Sequence, residues 1–243
     1  GMATSIPPHN LTELIDSVIY LLNNEKAETP DLFQFIQGPD FPTGGIIYDQ
    51  KEIISAYSQG KGAIVVRGKA EIKEKKDGSE QITITEIPYQ VLKSSLVEQM
   101  ADLVSEKKIE GIRDIKDLSD REGMSIVIDI KKGYQAQRVL NRLYQFTNLQ
   151  KTFHLNLLAL ADGIQPEILS ISDVLKYFIK HRTEVVTRRT KFDLEKAKDR
   201  AHILEGLTIA LKNIDAIITL IKKSADKEEA KVNLIKKFKL TER

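Results

Sequence analysis

The sequence predicts an α+β fold: a largely antiparallel sheet with packed helices, followed by a long α-helical coiled-coil arm. Three observations predict it. Short β-rich runs mix with amphipathic helical runs, and a hairpin signal, Lys76-Asp77-Gly78-Ser79, joins two of the β runs. No Gly or Pro lies between Pro166 and Gly206, so nothing in that stretch breaks a helix. Apolar residues then recur at Leu207, Leu211, Ile214, Ile218 and Ile221 in the 4-3-4-3 spacing of a coiled-coil seam.

The elements follow in order. Ser5-Ile6-Pro7-Pro8-His9-Asn10 is excluded from helix, because each proline pushes the preceding residue out of the α region. Asn10 with Glu13 has capping-box spacing, and Leu11, Leu14, Ile15, Val18, Ile19 and Leu22 define an amphipathic helix over 11–23. A short second helix begins at Thr29-Pro30-Asp31, with cap, N1 proline and first-turn acid in order. Gly38 to Gly45 is a loop stiffened by Pro39 and Pro42. Ile46 to Tyr48 reads as a short strand, Lys51 to Gln59 as a helix closed by Gly60, and Ala63 to Lys73 and Gln81 to Ile87 as the hairpin strands. Val91 to Lys107 is helical, as is Tyr134 to Tyr144, while Ile112–Asp117, Ser125–Ile130 and Thr152–Ala159 read as further strands. A helix over 172–224 would be roughly 80 Å long at 1.5 Å per residue. Its seam needs a partner helix, and the remaining Asp226 to Lys239 is expected to be too short to run back along it.

Composition excludes several classes of function. The 243 residues carry 37 bases and 35 acids, and no apolar run approaches the ~20 residues of a membrane span. There are no cysteines, hence no disulfide, thiolate nucleophile or Cys-ligated metal; a reducing, cytoplasmic setting is compatible with that. The four histidines have no metal-ligand spacing, and Gly60-Lys61-Gly62 lacks the spacer and Lys-Ser/Thr of a phosphate-binding loop. No self-sufficient catalytic constellation is expected. The near-neutral total hides an asymmetry: residues 1–50 have one base and seven acids, so the rest of the chain carries a net of +8. A polyanion would be sought on that later part.

Three features suit nucleic acid, each beside a plainer reading. Ile6-Pro7-Pro8 is an apolar side chain on a stiffened backbone, the form of a wedge between base steps, and pattern alone favours a simple connector. In the run Ile64 to Lys73, period two sets Ile64, Val66, Ala70 and Ile72 on one face and Arg67, Lys69 and Lys73 on the other, to meet either phosphates or water. Lys176 to Arg200 carries nine bases against four acids, a phosphate-binding or merely solvated helix face.

Several stretches together resemble one family, the A subunits of bacterial type II topoisomerases: DNA gyrase, with topoisomerase IV as the close relative. They are Gly1-Met2-Ala3-Thr4-Ser5-Ile6-Pro7-Pro8-His9-Asn10-Leu11, Gly38-Pro39-Asp40-Phe41-Pro42-Thr43-Gly44, Glu86-Ile87-Pro88-Tyr89-Gln90-Val91, Ser119-Asp120-Arg121-Glu122-Gly123-Met124 and His181-Arg182-Thr183-Glu184-Val185-Val186-Thr187-Arg188-Arg189-Thr190. The resemblance implies a connector helix over residues 1–25 after a winged-helix region, an α+β tower domain over 26–170 and a partial coiled-coil arm over 171–243. It implies a stretch that binds and bends the gate duplex of an ATP-dependent enzyme and links its DNA gate to its exit gate. Ile6 would enter the duplex beside Ser5, with Lys61, Arg67 and Lys69 bracing the DNA; Arg182, Arg188 and Arg189 would be DNA-facing or lever-arm cations. The nucleophilic tyrosine of the family follows an arginine, and none of the seven tyrosines here does. It is therefore expected upstream, so that this stretch holds no catalytic residue and no metal site. Mg²⁺ and ATP would be bound by the B subunit of the enzyme. The partners would be double-stranded DNA, the gyrase B subunit and a second A subunit, with no membrane. The Gly1-Met2 start fits a protease scar or an interior piece of a longer chain. A free-standing DNA-bending or scaffolding protein is the reading from another class.

Overall fold

The computed structural model describes residues 2–75, 78–121 and 123–242. The chain forms two compact units, Gly1–Ile179 and Lys180–Arg243. In the first, α1 spans Leu11–Asn23 and starts where expected, because the Asn10 carboxamide oxygen accepts from the Thr12 and Glu13 amides at 2.9 and 3.4 Å. The next helix, α2 (Thr29–Leu32), is a single turn. Its first residues are held by the Asp31 carboxylate accepting from the Glu28 amide at 2.9 Å, so the cap is Glu28 and not Thr29. Thr29 is instead drawn into the core, where its hydroxyl meets Ser172. Helix α3 (Gln50–Gln59) is capped by Asp49 and ends on Gly60 in the left-handed region, φ +69°.

The first β run departs from the expectation of one long strand. It breaks at Gly68 into β1 (Lys61–Arg67) and β2 (Lys69–Glu74), which enter different sheets. The cause is close packing: a Cβ on Gly68 would stand 2.6 Å from Leu149 Cδ1 and 2.7 Å from the Glu86 carbonyl oxygen. Strand β3 is Glu80–Glu86; of the hairpin turn expected before it, Lys76 and Asp77 lie outside the described residues, and Gly78 has φ +73°. Next come α4 (Lys93–Ser105), β4 (Ile112–Asp117), β5 (Ile126–Ile130) and α5 (Ala136–Phe146). The run expected over Thr152–Ala159 divides into β6 (Gln150–Asn156) and β7 (Leu158–Ala161), and β7 turns back on an unforeseen β8 (Gln165–Ile168). Ile46 forms only an isolated bridge to Arg67, not a strand.

All strand pairs are antiparallel, in sheets of order β1-β6, β2-β3-β5-β4 and β7-β8. Two cores result. Ile82, Ile84, Ile126 and Ile128 line one face of the four-stranded sheet and pack with Leu96 and Met100 of α4 and Leu143 of α5. The other gathers Leu21, Leu32, Ile36, Tyr57, Ile64 and Leu155 over the β1-β6 sheet. On the outer face of the four-stranded sheet, Asp129 is buried under Lys75, Lys116 and Gln81; the Lys75 ammonium holds its carboxyl below the usual range despite burial.

Helix α6 spans Ile171–Lys212. In the second unit the expected continuous helix breaks at Asn213, and α7 (Ile214–Lys223) and α8 (Lys227–Phe238) follow. Contrary to the expectation that the last segment is too short to come back along the arm, it does return. Helix α8 packs on α7, Leu240 approaches Gly206, and His202 Nε2 and the Thr241 hydroxyl lie 2.6 Å apart. The seam residues Leu207, Leu211, Ile214, Ile218 and Ile221 nonetheless stay exposed. No helix of the described residues is long and apolar enough to cross a membrane.

Candidate nucleic-acid interface

The site is built from the N-terminal segment and the β1-β6 sheet. Ser5 and Asn156 exchange both backbone hydrogen bonds at 2.9 Å, and Asn156 is the register partner of Lys61 on the other side of β6. Directly opposed residues of an antiparallel sheet share a face, so Ser5, Asn156 and Lys61 form one transverse row. Thr4 and Ala3 reinforce it: the Thr4 hydroxyl donates to the Asn156 carbonyl at 3.0 Å, and the Asn156 side-chain amide donates to the Ala3 carbonyl at 2.8 Å. Ile6 follows immediately, with 53% of its surface exposed although it is a large aliphatic residue.

Behind Ile6 the segment is clamped. The Pro8 carbonyl accepts from the Asp40 amide at 2.9 Å, and His9 Nε2 lies 2.8 Å from the hydroxyl of the fully buried Tyr57. Burial pushes the His9 imidazole below its ordinary value and the Tyr57 phenol above its own. The Ile6 side chain is thus presented on a backbone tied down on both sides.

The same sheet face continues along β1 and β6 through Ala63–His154 and Val65–Thr152 to Arg67–Gln150, while Ile64, Val66 and Leu155 point into the core. Sequence reasoning missed His154, Thr152 and Gln150 as members of this face; only the β1-β6 register, a pairing about 90 residues apart in sequence, reveals them. A cleft of about 200 Å³ opens beside Ser5, lined by Thr152, His154, Lys151 and the turn Pro88 to Gln90.

Arg67 and Lys69 do not share the strand face expected for them. The Arg67 guanidinium lies over the rings of Tyr48 and Tyr144, 5.2 and 5.3 Å from their centroids, and its Nε donates to Gln150 at 2.6 Å. The Tyr144 hydroxyl donates to the Gly68 carbonyl at 2.8 Å; burial raises its pKa, and Tyr48 adds to the rise, against the opposing pull of Arg67. Lys69, beyond Gly68, starts the other sheet and pairs with Glu86 at 3.5 Å; Glu86 also accepts from the Gly45 amide at 2.6 Å. The structure thus brings Ser5, Ile6 and Lys61 together and sets Arg67 at the far end of β1. Arg182, Arg188 and Arg189 belong to the second unit, where all three are exposed on α6 and Arg188 lies 3.8 Å from Glu184 one turn earlier. Among the described residues no group of three or more His, Asp or Glu side chains is placed to hold a metal ion.

A model of the family described as the A subunit of DNA gyrase/topoisomerase IV matches residues 1–243. The chain is 53% identical over 243 residues to the DNA gyrase A subunit of Clostridium acetobutylicum, covering 100% of the chain and 29% of that relative. It is 52% identical over 237 residues to that of Pseudomonas aeruginosa, covering 97% of the chain and 26% of the relative. The DNA gyrase A subunit of Streptococcus pneumoniae is 49% identical over 243 residues, covering 100% of the chain and 29% of the relative. The chain thus spans under a third of the length of these curated relatives.

Proposed function

The chain belongs to the A-subunit family of DNA gyrase and topoisomerase IV, and from that premise we propose that it carries the subunit's contact with the gate duplex and bends that duplex. The observation that supports this best is the fixed Ser5–Asn156–Lys61 row, which leaves Ile6 exposed on a clamped di-proline backbone. An apolar residue held that way can unstack a base step, at a cost of a few kcal/mol that contacts to the bent duplex repay. The Lys61 ammonium and the Ser5 and Thr152 hydroxyls on the same face suit phosphate oxygens, which position the duplex without reading its sequence. Arg67 adds its positive charge at the far end of the same face, beside the rings of Tyr48 and Tyr144. In the same reading residues 1–25 are the connector, 26–170 the tower and 171–243 the lever arm whose cations Arg182, Arg188 and Arg189 lie along the helix.

The reaction of the assembled enzyme, ATP-dependent strand passage, needs a nucleophilic tyrosine that this stretch does not supply. The B subunit, with Mg²⁺ and ATP, and a second A subunit complete it. The test is duplex bending, measured by energy transfer between end-labelled dyes. The wild-type chain is expected to shorten the end-to-end distance of a duplex, and Ile6→Ala to lose most of that shortening while retaining salt-sensitive binding. Equal bending by the variant would sink the assignment of Ile6. The chain mixed with the B subunit and ATP is expected to relax or supercoil no plasmid.

A further inference from the structure

We propose that the end of the four-stranded sheet formed by the β5–α5 turn is a second contact for the phosphate backbone of duplex DNA, centred on Arg138 and Arg142. The proposal rests on the reading of the chain as a duplex-binding element and adds a separate surface to it. Three segments converge there. The Lys131 amide donates to the Gly111 carbonyl at 2.8 Å, closing the β4 and β5 ends together, and the Tyr134 amide donates to the Lys131 carbonyl at 3.2 Å. The Tyr134 ring lies so close over Gly111, φ +93°, that a Cβ there would be 2.6 Å from it. Arg142 Nη1 donates to the Lys108 carbonyl at 3.3 Å, tying α5 to the turn after α4.

The open cleft there, of about 410 Å³, is lined by Glu110, Tyr134, Gln135, Arg138 and Arg142, and the exposed Lys107, Lys108, Lys131 and Lys132 belong to the segments that these bonds join. Glu106 and Glu110 within these segments, and Glu80 against the start of α5, oppose the six bases, and Glu106 is already paired with Lys108 at 2.8 Å. Arg138 and Arg142 stand one turn apart on the side of α5 away from the buried Val139, Leu140 and Leu143. Like charges at that spacing destabilise a helix unless an anion offsets them. The helix N-terminus plays no part, because the Glu80 carboxylate already accepts from the Ala136 amide at 2.6 Å.

The arrangement favours a chain of phosphates over a single anion. The cations come from three segments, and all but the half-buried Arg142 are exposed, whereas a site for one phosphate would turn its donors inward. A duplex offers a row of charges to such exposed cations, and the guanidiniums suit paired phosphate oxygens.

The experiment is the salt dependence of duplex binding by the 243-residue chain, comparing wild type, an Arg138→Gln/Arg142→Gln double variant and Ile6→Ala. The double variant is expected to lower the slope of log affinity against log salt by about two, and to weaken low-salt binding about tenfold or more, with bending retained. Ile6→Ala should reduce bending and keep the slope. Because α5 packs on the core, Lys131→Gln/Lys132→Gln in the exposed turn serves as a second test and should lower the slope by a similar amount. A wild-type slope in both double variants overturns the second contact and leaves the Ile6 reading standing. Failure of the wild-type chain to bind any duplex overturns both.

Discussion

At the scale of single residues, His9 and Arg67 show side chains whose role comes from what surrounds them. His9 lies beside Tyr57 under conditions that disfavour its charge, and only the Pro7 backbone and the Asp40 carboxylate oppose the effect of burial. Its folded pKa is below the unfolded value of 6.5, so the unfolded chain takes up a proton first as the pH falls. The stability this site contributes is present above pH 6.5 and is lost as the pH drops below it, at a rate bounded by about 1.4 kcal/mol per pH unit. Thermal melting between pH 8 and pH 5 should show that decline in the wild type and a flatter curve in His9→Gln. Equal curves would show that the imidazole is not what titrates. Arg67 illustrates the converse. As a base on a β-run it suggests a phosphate ligand, yet its Nε bond to Gln150 and its two aromatic neighbours make it first a brace between β1, β6 and α5.

At the scale of elements, the decisive position is Gly68. It ends β1, frees β2 to join the second sheet, and lets Leu149 and the Glu86 carbonyl approach closer than any Cβ would permit. Gly68→Ala is expected to cost about 1–3 kcal/mol, because both neighbours belong to packed elements that cannot move aside cheaply. Denaturant melts would measure it, and an unchanged midpoint would mean that the two sheets adjust freely. Local signals make much of the rest legible. Asn10 and Asp49 cap helices because their side chains bond the next amides, information contained within four residues. Pairings far apart in sequence are not legible. Nothing near Ser5 announces Asn156, nothing near Lys61 announces His154 two residues along the partner strand, and the register joining them arises only when α3 and β1 pack on the Tyr57 core. The motif around Ile6 is visible in the sequence; the face that supports it is not.

At the scale of the whole molecule, burial is divided unequally between the two units. Every buried hydrophobic residue among those described lies at or before Leu175, and α7 and α8 bury none. A helix gains most of its stability from packing an apolar face, so the second unit should open far more readily than the first. Hydrogen exchange tests this directly: amides of β3 and β5 should exchange slowest, those of α7 and α8 orders of magnitude faster. The exposed Leu207, Leu211, Ile218 and Ile221 give that unit a second property. An apolar stripe in water is stabilised by whatever covers it, and a second copy of the same chain offers an identical stripe. Binding that favours the folded arm raises its apparent stability by mass action, so helical signal from this unit should melt at higher temperature as protein concentration increases. Leu207→Lys/Leu211→Lys should abolish that dependence without moving the melt of the first unit, whose cores contain neither residue. If instead the arm melts at the same temperature across a range of about a hundredfold in concentration, the contacts His202 makes with Thr241 and Leu240 with Gly206 suffice, and the returning segment alone sustains the helix.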